Sequence, residues 1–205
     1  MNAFDPREAA DLLDSIEHDA RRRFDPRPPL VGLISAVVVL AIYGTLWLSV
    51  RDQHPYVGPS DTATAWAYTI LAVSIVVSVT SYRRATQGIT GRSRRQDAVA
   101  GLAVGVPWIA VYVFNAALHA NGAGQDIVYG VFDAAGPWLV VGAAVAGVAA
   151  GRGRPGGIVA GLTAVVIGTV AAFFGPAGAW GVLGVAGCAA LLIQAAARFV
   201  ALRRP

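Results

Sequence analysis

Residues 30–50 read LVGLISAVVVLAIYGTLWLSV, an apolar stretch without a single charged side chain. A helix needs about 20 apolar residues to cross a hydrocarbon layer about 30 Å thick, so this stretch predicts a transmembrane helix. Five more stretches of similar length and composition follow it. They are residues 62–81, 98–118, 127–150, 157–175 and 178–200. The sequence therefore predicts an all-α polytopic membrane protein, with a six-helix transmembrane domain over residues 30–205.

The overall composition agrees with this prediction. Hydrophobic residues make up 56% of the 205 residues, and charged residues make up only 14%. A soluble globular domain carries about 25% charged residues. The chain is therefore too poor in charge for a typical water-soluble domain, and a membrane protein is the class that fits.

The arginines predict the orientation of the six spans. All sixteen positively charged side chains are arginines, and fifteen of them lie in every second joint between spans or at the termini. These fifteen are Arg7, Arg21, Arg22, Arg23, Arg27, Arg83, Arg84, Arg92, Arg94, Arg95, Arg152, Arg154, Arg198, Arg203 and Arg204. The opposite joints contain only Arg51. Because arginine and lysine accumulate on the cytoplasmic side, both termini are predicted to be cytoplasmic.

The tryptophans fall at two depths in this topology. Trp47, Trp66 and Trp180 lie at the predicted outer ends of their spans, the interfacial level that tryptophan prefers. Trp108 and Trp138 lie about ten residues inside their spans, roughly 15 Å deep at 1.5 Å per residue. The first three predict an aromatic belt, and the other two predict side chains near the membrane midplane.

The cytoplasmic region over residues 1–29 contains a predicted amphipathic helix. Asp5, Pro6 and Glu8 form a typical helix start with a capping box, and apolar residues recur at helical spacing through Ile16. The proline-rich segment 25–29 ends the helix and leads into the first span. The helix over residues 6–23 is interpreted either as a docking site for a cytoplasmic protein or another copy of the chain, or as a surface helix on the membrane boundary.

The joint over residues 82–97 is the most basic one. Its arginines are Arg83, Arg84, Arg92, Arg94 and Arg95. They are a candidate site for anionic lipid headgroups or a phosphorylated ligand, or they serve only to orient the protein. No aromatic residues are interleaved with them, so the joint is not expected to bind nucleic acid.

Spans 3 and 4 carry most of the unusual side chains. In span 3, one helical face carries Trp108, Tyr112, Asn115 and His119, because these residues are spaced four, three and four apart. Span 4 contains Asp133, the only acid inside a span. An acid at the centre of a span costs about 2.5–3.5 kcal/mol on insertion scales, so it normally faces the bundle interior and has a partner.

The other candidate residues of span 4 are Tyr129, Pro137 and Trp138. Pro137 cannot donate to the carbonyl of Asp133, four residues earlier, and Pro107 has the same effect in span 3, so both prolines are candidate hinges. Asp133 and Asn115 are predicted to lie at similar depth, because a short joint makes the two spans antiparallel. Two interpretations remain open: an outward-facing site for a cation, a proton or a small polar solute, or a hydrogen bond that only holds the helices together.

No catalytic or cofactor-binding motif accompanies this candidate site. The sequence has no Ser-His-Asp or Cys-His arrangement, no glycine-rich phosphate loop after a strand, and a single cysteine, Cys188, inside the last span. The chain is therefore expected to bind no metal and no cofactor and not to be an enzyme. Small-residue pairs at Gly101/Gly105 and Gly157/Gly161, with Gly181, Gly184 and Gly187 on one face of span 6, predict close helix packing.

The N-terminal run DPREAADLL over residues 5–13, followed by RRR at residues 21–23 and then the spans, resembles a group of small actinobacterial six-span membrane proteins of no settled activity. The resemblance covers about the first 30 residues and the overall layout. It implies a bacterial plasma-membrane protein, encoded near a transcriptional regulator, and it carries over no catalytic residues.

Two functions follow as hypotheses. The first is a membrane protein without enzymatic activity that binds a protein partner or a small ligand, since catalytic motifs are absent and an N-terminal helix is predicted. The second is a small transporter or channel that uses Asp133 and Asn115, with kinks at the two prolines. The halves of the chain show no clear repeat of the kind that many transporters have.

Overall fold

The structure is a computed structural model that describes residues 29–85 and 92–203. Its six α-helices are α1 (Pro29–Val50), α2 (Asp61–Ala85), α3 (Arg92–Ala120), α4 (Asp133–Gly151), α5 (Pro155–Ala172) and α6 (Gly175–Arg203). A π-helical segment, Asp126–Phe132, runs directly into α4. Six spans are long and apolar enough to cross a membrane, the fourth being the π-helical segment together with α4. The predicted all-α protein with six membrane-spanning helices is confirmed, whereas the predicted amphipathic helix over residues 6–23 lies outside the described residues.

The surface of the bundle is apolar, as expected of a protein surrounded by lipid. Large side chains such as Phe173, Ile193 and Val185 are 86%, 69% and 67% exposed. In water such a surface would drive aggregation. In a bilayer, however, lipid tails cover it, and the helices associate through close packing and interhelical hydrogen bonds.

The helices form two tightly packed pairs with two loosely attached neighbours. α1 packs along α6 and α4 packs along α5, while α6 also contacts α5 and the π-helical segment. In this arrangement α2 lies against α1, and α3 lies against α4 and the π-helical segment. Among the residues that the structure describes, α2 and α3 make few contacts with each other. We call the gap between them the lateral opening.

Glycines form the seam between α4 and α5. A Cβ atom at Gly161 would lie 2.5 Å from both Ala146 N and Gly142 O, and one at Gly157 would lie 2.7 Å from Ala149 Cβ. The close packing predicted for Gly157 and Gly161 is therefore confirmed. The corresponding expectation for Gly101 and Gly105 is wrong, because no described atom lies within 4 Å of a Cβ built at either position.

The predicted small face of α6 is also confirmed. A Cβ atom at Gly181 would lie 2.9 Å from the Trp47 ring, and one at Gly184 would lie 3.1 Å from Tyr43 Cβ. Gly187 accommodates the end of the Trp138 ring in the same way. These three glycines let the large aromatic residues of α1 and α4 pack directly against the α6 backbone.

Candidate functional site

The π-helical segment lies at the end of the bundle where the joints are poor in arginine, which we call the arginine-poor end. The backbone N–H of Asp133 donates to Val128 O, five residues back, whereas an α-helix would direct it to Tyr129 O. Tyr129 O accepts a hydrogen bond from the Tyr56 hydroxyl at 2.9 Å. Such π turns inside α-helices occur frequently at functional sites. This one ends at Asp133, the acid that the sequence marks as unusual.

The loop over residues 51–60 folds over this segment. Gln53 organises it: its Nε2 donates to Ser49 O and Gly58 O, both at 2.9 Å, and its Oε1 accepts from the N–H groups of Val57 and Gly58. Gly58 has a φ of +115°, and a Cβ there would lie 3.2 Å from Tyr129 Cβ. Only glycine suits both the backbone conformation and the close approach. The loop is thereby fixed against the π-helical segment.

Tyr56 connects this loop to α6 as well. The Trp180 indole N–H donates to the Tyr56 hydroxyl at 3.2 Å, and that hydroxyl donates in turn to Tyr129 O. Burial raises the pKa of Tyr56, the Trp180 hydrogen bond lowers it, and the Asp133 carboxylate raises it further. The ordinary pKa of a tyrosine, about 10, already lies above neutral pH, so a raised pKa leaves the phenol protonated and able to donate.

Asp133 and Asn115 meet as the sequence predicted, but their contact is long. Asn115 Nδ2 donates to Asp133 Oδ1 at 3.4 Å, whereas a strong hydrogen bond from nitrogen to a carboxylate measures about 2.7–2.9 Å. Asn115 is only 8% exposed, and its Oδ1 atom is buried without a hydrogen-bond partner among the described residues. An unpaired buried acceptor of this kind costs about 1–3 kcal/mol. The pair is therefore not optimised for holding α3 and α4 together.

Four tyrosines from different parts of the chain lie within electrostatic range of the Asp133 carboxylate. They are Tyr43 on α1, Tyr56 in the loop, Tyr68 on α2 and Tyr112 on α3. The hydroxyl groups of Tyr68 and Tyr112 are hydrogen-bonded to each other. This bond crosses the lateral opening, where the two helices otherwise barely touch. Asp133 itself is half-buried, so part of its surface stays accessible.

Trp138 supports one of these tyrosines. Its indole N–H donates to the Tyr43 hydroxyl at 2.6 Å, and the two rings meet edge to face at 5.9 Å between centroids. Gly187 also packs against the end of the Trp138 ring, and Gly168 packs against the Trp138 Cβ atom. Trp138 was predicted as a ligand-binding residue, and its contacts place it behind Tyr43 as a positioning side chain.

The remaining candidate residues of α3 pack against neighbouring aromatic rings. The Trp108 and Tyr112 rings pack edge to face at 5.1 Å between centroids. The exposed His119 packs on Tyr129, with 5.6 Å between ring centroids. Pro107 and Pro137 lie inside α3 and α4 without ending either helix. Their role as hinges stays a prediction.

The three tryptophans that were predicted to lie at the membrane interface differ in their exposure. Trp66 is 60% exposed, as a belt residue should be, and Trp47 is half-buried with the Arg51 guanidinium 5.7 Å from its ring. Trp180 is only 4% exposed and belongs to the core beside Tyr43 and Leu183. It therefore packs inside the bundle and does not face lipid as a belt residue would, because the glycine-rich start of α6 draws it against α1 and the loop.

Two further predictions concern the basic joint over residues 82–97 and the absence of a metal site. The side chains of residues 82–97, with their five arginines, lie outside the described residues. Within the described part of the chain, no group of three or more His, Cys, Asp or Glu side chains comes together as a metal site would require.

No protein-family model matches the chain, and neither a curated protein nor a solved structure is similar to it.

Sequence reasoning missed three residues of the site: Tyr43, Tyr56 and Tyr68. They lie on α1, on the loop and on α2, far from Asp133 along the chain. A helical face can be read from spacing within one span, but contacts between spans depend on how the helices are arranged. The weak available signal was that the spans and joints of the arginine-poor end contain several tyrosines.

Proposed function

We propose that this integral membrane protein binds a small cationic or polar ligand at Asp133 and Asn115, and that it does so without catalysing a reaction. The observation that carries the proposal is the buried Asn115 Oδ1 atom, which lies beside the Asp133 carboxylate and has no hydrogen-bond partner in the described part of the chain. A bound ligand that donates hydrogen bonds would satisfy this acceptor and compensate the negative charge. The side chain bonded to Asp133 is an amide, which cannot act as an acid or a base.

Ligand-dependent thermal stabilisation tests this proposal. Sodium, potassium, ammonium and methylammonium salts are titrated against the purified protein, because a ligand that binds the folded state raises the unfolding temperature. At least one of them is expected to do so for the wild type and not for Asp133→Asn. Asp126→Asn is the matched control, since Asp126 is an exposed acid on the same π-helical segment. Equal behaviour of the wild type and Asp133→Asn with all four salts would contradict the proposal.

Transport through the same site is the second candidate function. It is favoured by the irregular backbone around Asp133, with a π-helical segment before it and Pro137 after it. Transporters commonly place interrupted helices at their substrate sites. Flux of labelled methylammonium into proteoliposomes, compared with Asp133→Asn, distinguishes the two functions. Binding without flux would leave a binding protein and rule out the transporter.

We further propose a bacterial plasma-membrane location with both termini cytoplasmic, on the basis of the arginine distribution. Single cysteines in a Cys188→Ser background test the orientation. Val57→Cys lies in the exposed loop of the arginine-poor end, and Gly156→Cys lies at the opposite end of α5. A membrane-impermeant maleimide added to intact cells is expected to label only Val57→Cys. Labelling of Gly156→Cys instead would reverse the topology.

We also propose that residues 6–23, which have the pattern of an amphipathic helix, bind a protein partner. Deleting residues 1–24 tests it. Partners that co-purify with the full chain are expected to be lost, while the cation response of the six spans stays unchanged. Unchanged co-purification would remove this role from the N-terminal segment.

A further inference from the structure

The site presents hydrogen-bond acceptors that lack well-placed donors. Asn115 Oδ1 is buried and unpaired, and the Asp133 carboxylate receives one long hydrogen bond from the same amide group. In addition, Pro137 provides no N–H for the main-chain carbonyl of Asp133. A ligand that complements this arrangement carries a positive charge and at least two N–H or O–H donors.

Aromatic rings form the other part of the surroundings. Tyr43, Tyr68 and Tyr112 are within electrostatic range of the carboxylate, and Trp108 packs edge to face on Tyr112. Aromatic faces attract cations, and the attraction grows when the cation is removed from water. Hard divalent cations such as Ca²⁺ prefer six to eight oxygen ligands. Aromatic rings with a few oxygens suit an organic ammonium group better.

The lateral opening shows where the rest of such a ligand can lie. α2 and α3 are joined across it by the Tyr68–Tyr112 hydrogen bond, and Tyr68 is 48% exposed. Outward-facing residues of the same two helices are apolar, among them Val73 and Phe114, which are 58% and 56% exposed. An alkyl chain that extends from Asp133 through the opening would therefore meet apolar side chains and lipid.

We propose that the ligand is a primary alkylammonium ion, an inference that rests on the proposed function of the Asp133 site. Its –NH₃⁺ group donates to the Asp133 carboxylate and to Asn115 Oδ1 and lies against the tyrosine rings. Its alkyl chain leaves the site between α2 and α3. A quaternary ammonium ion satisfies the charge and the rings, but it has no N–H group and leaves Asn115 Oδ1 unpaired.

Binding of two matched probes tests this inference. Hexylammonium and hexyltrimethylammonium carry the same charge and chain, and they differ in their N–H donors. The full chain in lipid nanodiscs is titrated with each by calorimetry. Hexylammonium is expected to bind about tenfold more tightly, the equivalent of about 1.4 kcal/mol. Asn115→Leu is expected to remove this preference, and Asp133→Asn is expected to abolish the saturable binding of both probes.

Partition into the lipid is separated from binding by controls. Empty nanodiscs measure partition alone, and Asp126→Asn should behave as the wild type. Asp133→Asn removes a charge from the membrane-spanning region, which favours insertion. Size-exclusion chromatography and circular dichroism test whether each variant is folded. Should Asp133→Asn not fold, loss of the preference in Asn115→Leu decides the question.

The outcomes separate this inference from the proposed function. Equal or tighter binding of hexyltrimethylammonium, or Asp133-dependent binding of sodium alone, would overturn the alkylammonium assignment and leave a cation site at Asp133. Failure of these probes and of all four small-cation salts to bind in an Asp133-dependent manner would overturn both.

Discussion

The α4–α5 seam and the lateral opening between α2 and α3 are both contacts between apolar helices, yet they are built differently. In the seam, Gly142, Gly157 and Gly161 bring two backbones together. Across the opening, Tyr68 and Tyr112 meet through their hydroxyl groups while the backbones stay apart. Lipid tails are as apolar as leucine, so the hydrophobic effect does not drive two helices together inside a membrane. The stability of the seam therefore comes from close packing.

Because of this difference, the tightest packing and the proposed binding site lie in different parts of one small bundle. The pairs α1–α6 and α4–α5 have the close contacts that hold a fold together. α2 packs mainly on α1, and α3 packs mainly on α4 and the π-helical segment, and the acid with its unpaired amide neighbour lies between α3 and α4. Regions of low contact density are the ones that open locally at low cost. The site therefore lies next to the part of the bundle that is best able to move.

The largest effect is expected from adding a methyl group inside the seam. In Gly161→Ala the new Cβ would lie 2.5 Å from two backbone atoms of α4, which cannot rotate away, so the helices must separate. We expect a loss of about 1–3 kcal/mol in the free energy of unfolding, measured by denaturation in mixed micelles. Gly105→Ala is the control, because its Cβ meets no described atom within 4 Å. An equal loss in both variants would show that the seam is not specially packed.

The sequence predicts these two regions unequally. Hydropathy places every span within a few residues of its helix, because length and apolar content decide what crosses a membrane. For example, residues 30–50 correspond to Pro29–Val50. Small-residue spacing succeeds at Gly157/Gly161 and fails at Gly101/Gly105, since the same pattern occurs whether or not a neighbouring helix faces it.

The sequence predicts only part of the site, for a similar reason. Asp133 and Asn115 lie on consecutive antiparallel spans, so depth alone brings them together. Tyr43 and Tyr68 join them only because α1 and α2 are placed where they are in the bundle, and no local pattern encodes that placement. The π-helical turn before Asp133 has no local signal either, since a change of one residue in hydrogen-bond register leaves the apolar pattern almost unaltered.

Tyr56→Phe is expected to have the second largest effect on stability. The variant removes the donor to Tyr129 O and the acceptor for the Trp180 N–H, so two partly buried groups lose their partner. A loss of about 1–2 kcal/mol is expected in the same assay. Tyr68→Phe serves as the control from the other region, because Tyr68 is half exposed. A smaller loss for Tyr56→Phe than for Tyr68→Phe would contradict the division between the two regions.

Asn115→Leu is expected to change stability in the opposite direction. Leucine has the same number of side-chain heavy atoms and the same branching at Cγ but carries no buried acceptor, so the folded state is relieved of the unpaired Oδ1 atom. The free energy of unfolding should rise by up to about 1 kcal/mol, while the preference for hexylammonium is lost. If Asn115→Leu were destabilised, the 3.4 Å contact with Asp133 would be a structural hydrogen bond between α3 and α4.

The smallest effect on stability, with a distinct effect on kinetics, is expected from Tyr68→Phe. The hydroxyl bond across the opening is lost, but α2 keeps its packing on α1, so the free energy of unfolding should change by less than about 0.5 kcal/mol. If α2 and α3 must separate for a ligand to reach Asp133, losing a bond of about 0.5 kcal/mol should accelerate hexylammonium association roughly twofold. Stopped-flow tryptophan fluorescence measures this rate, with Thr69→Val as a neighbouring control on α2. An unchanged rate would mean that the ligand enters from the arginine-poor end and not through the lateral opening.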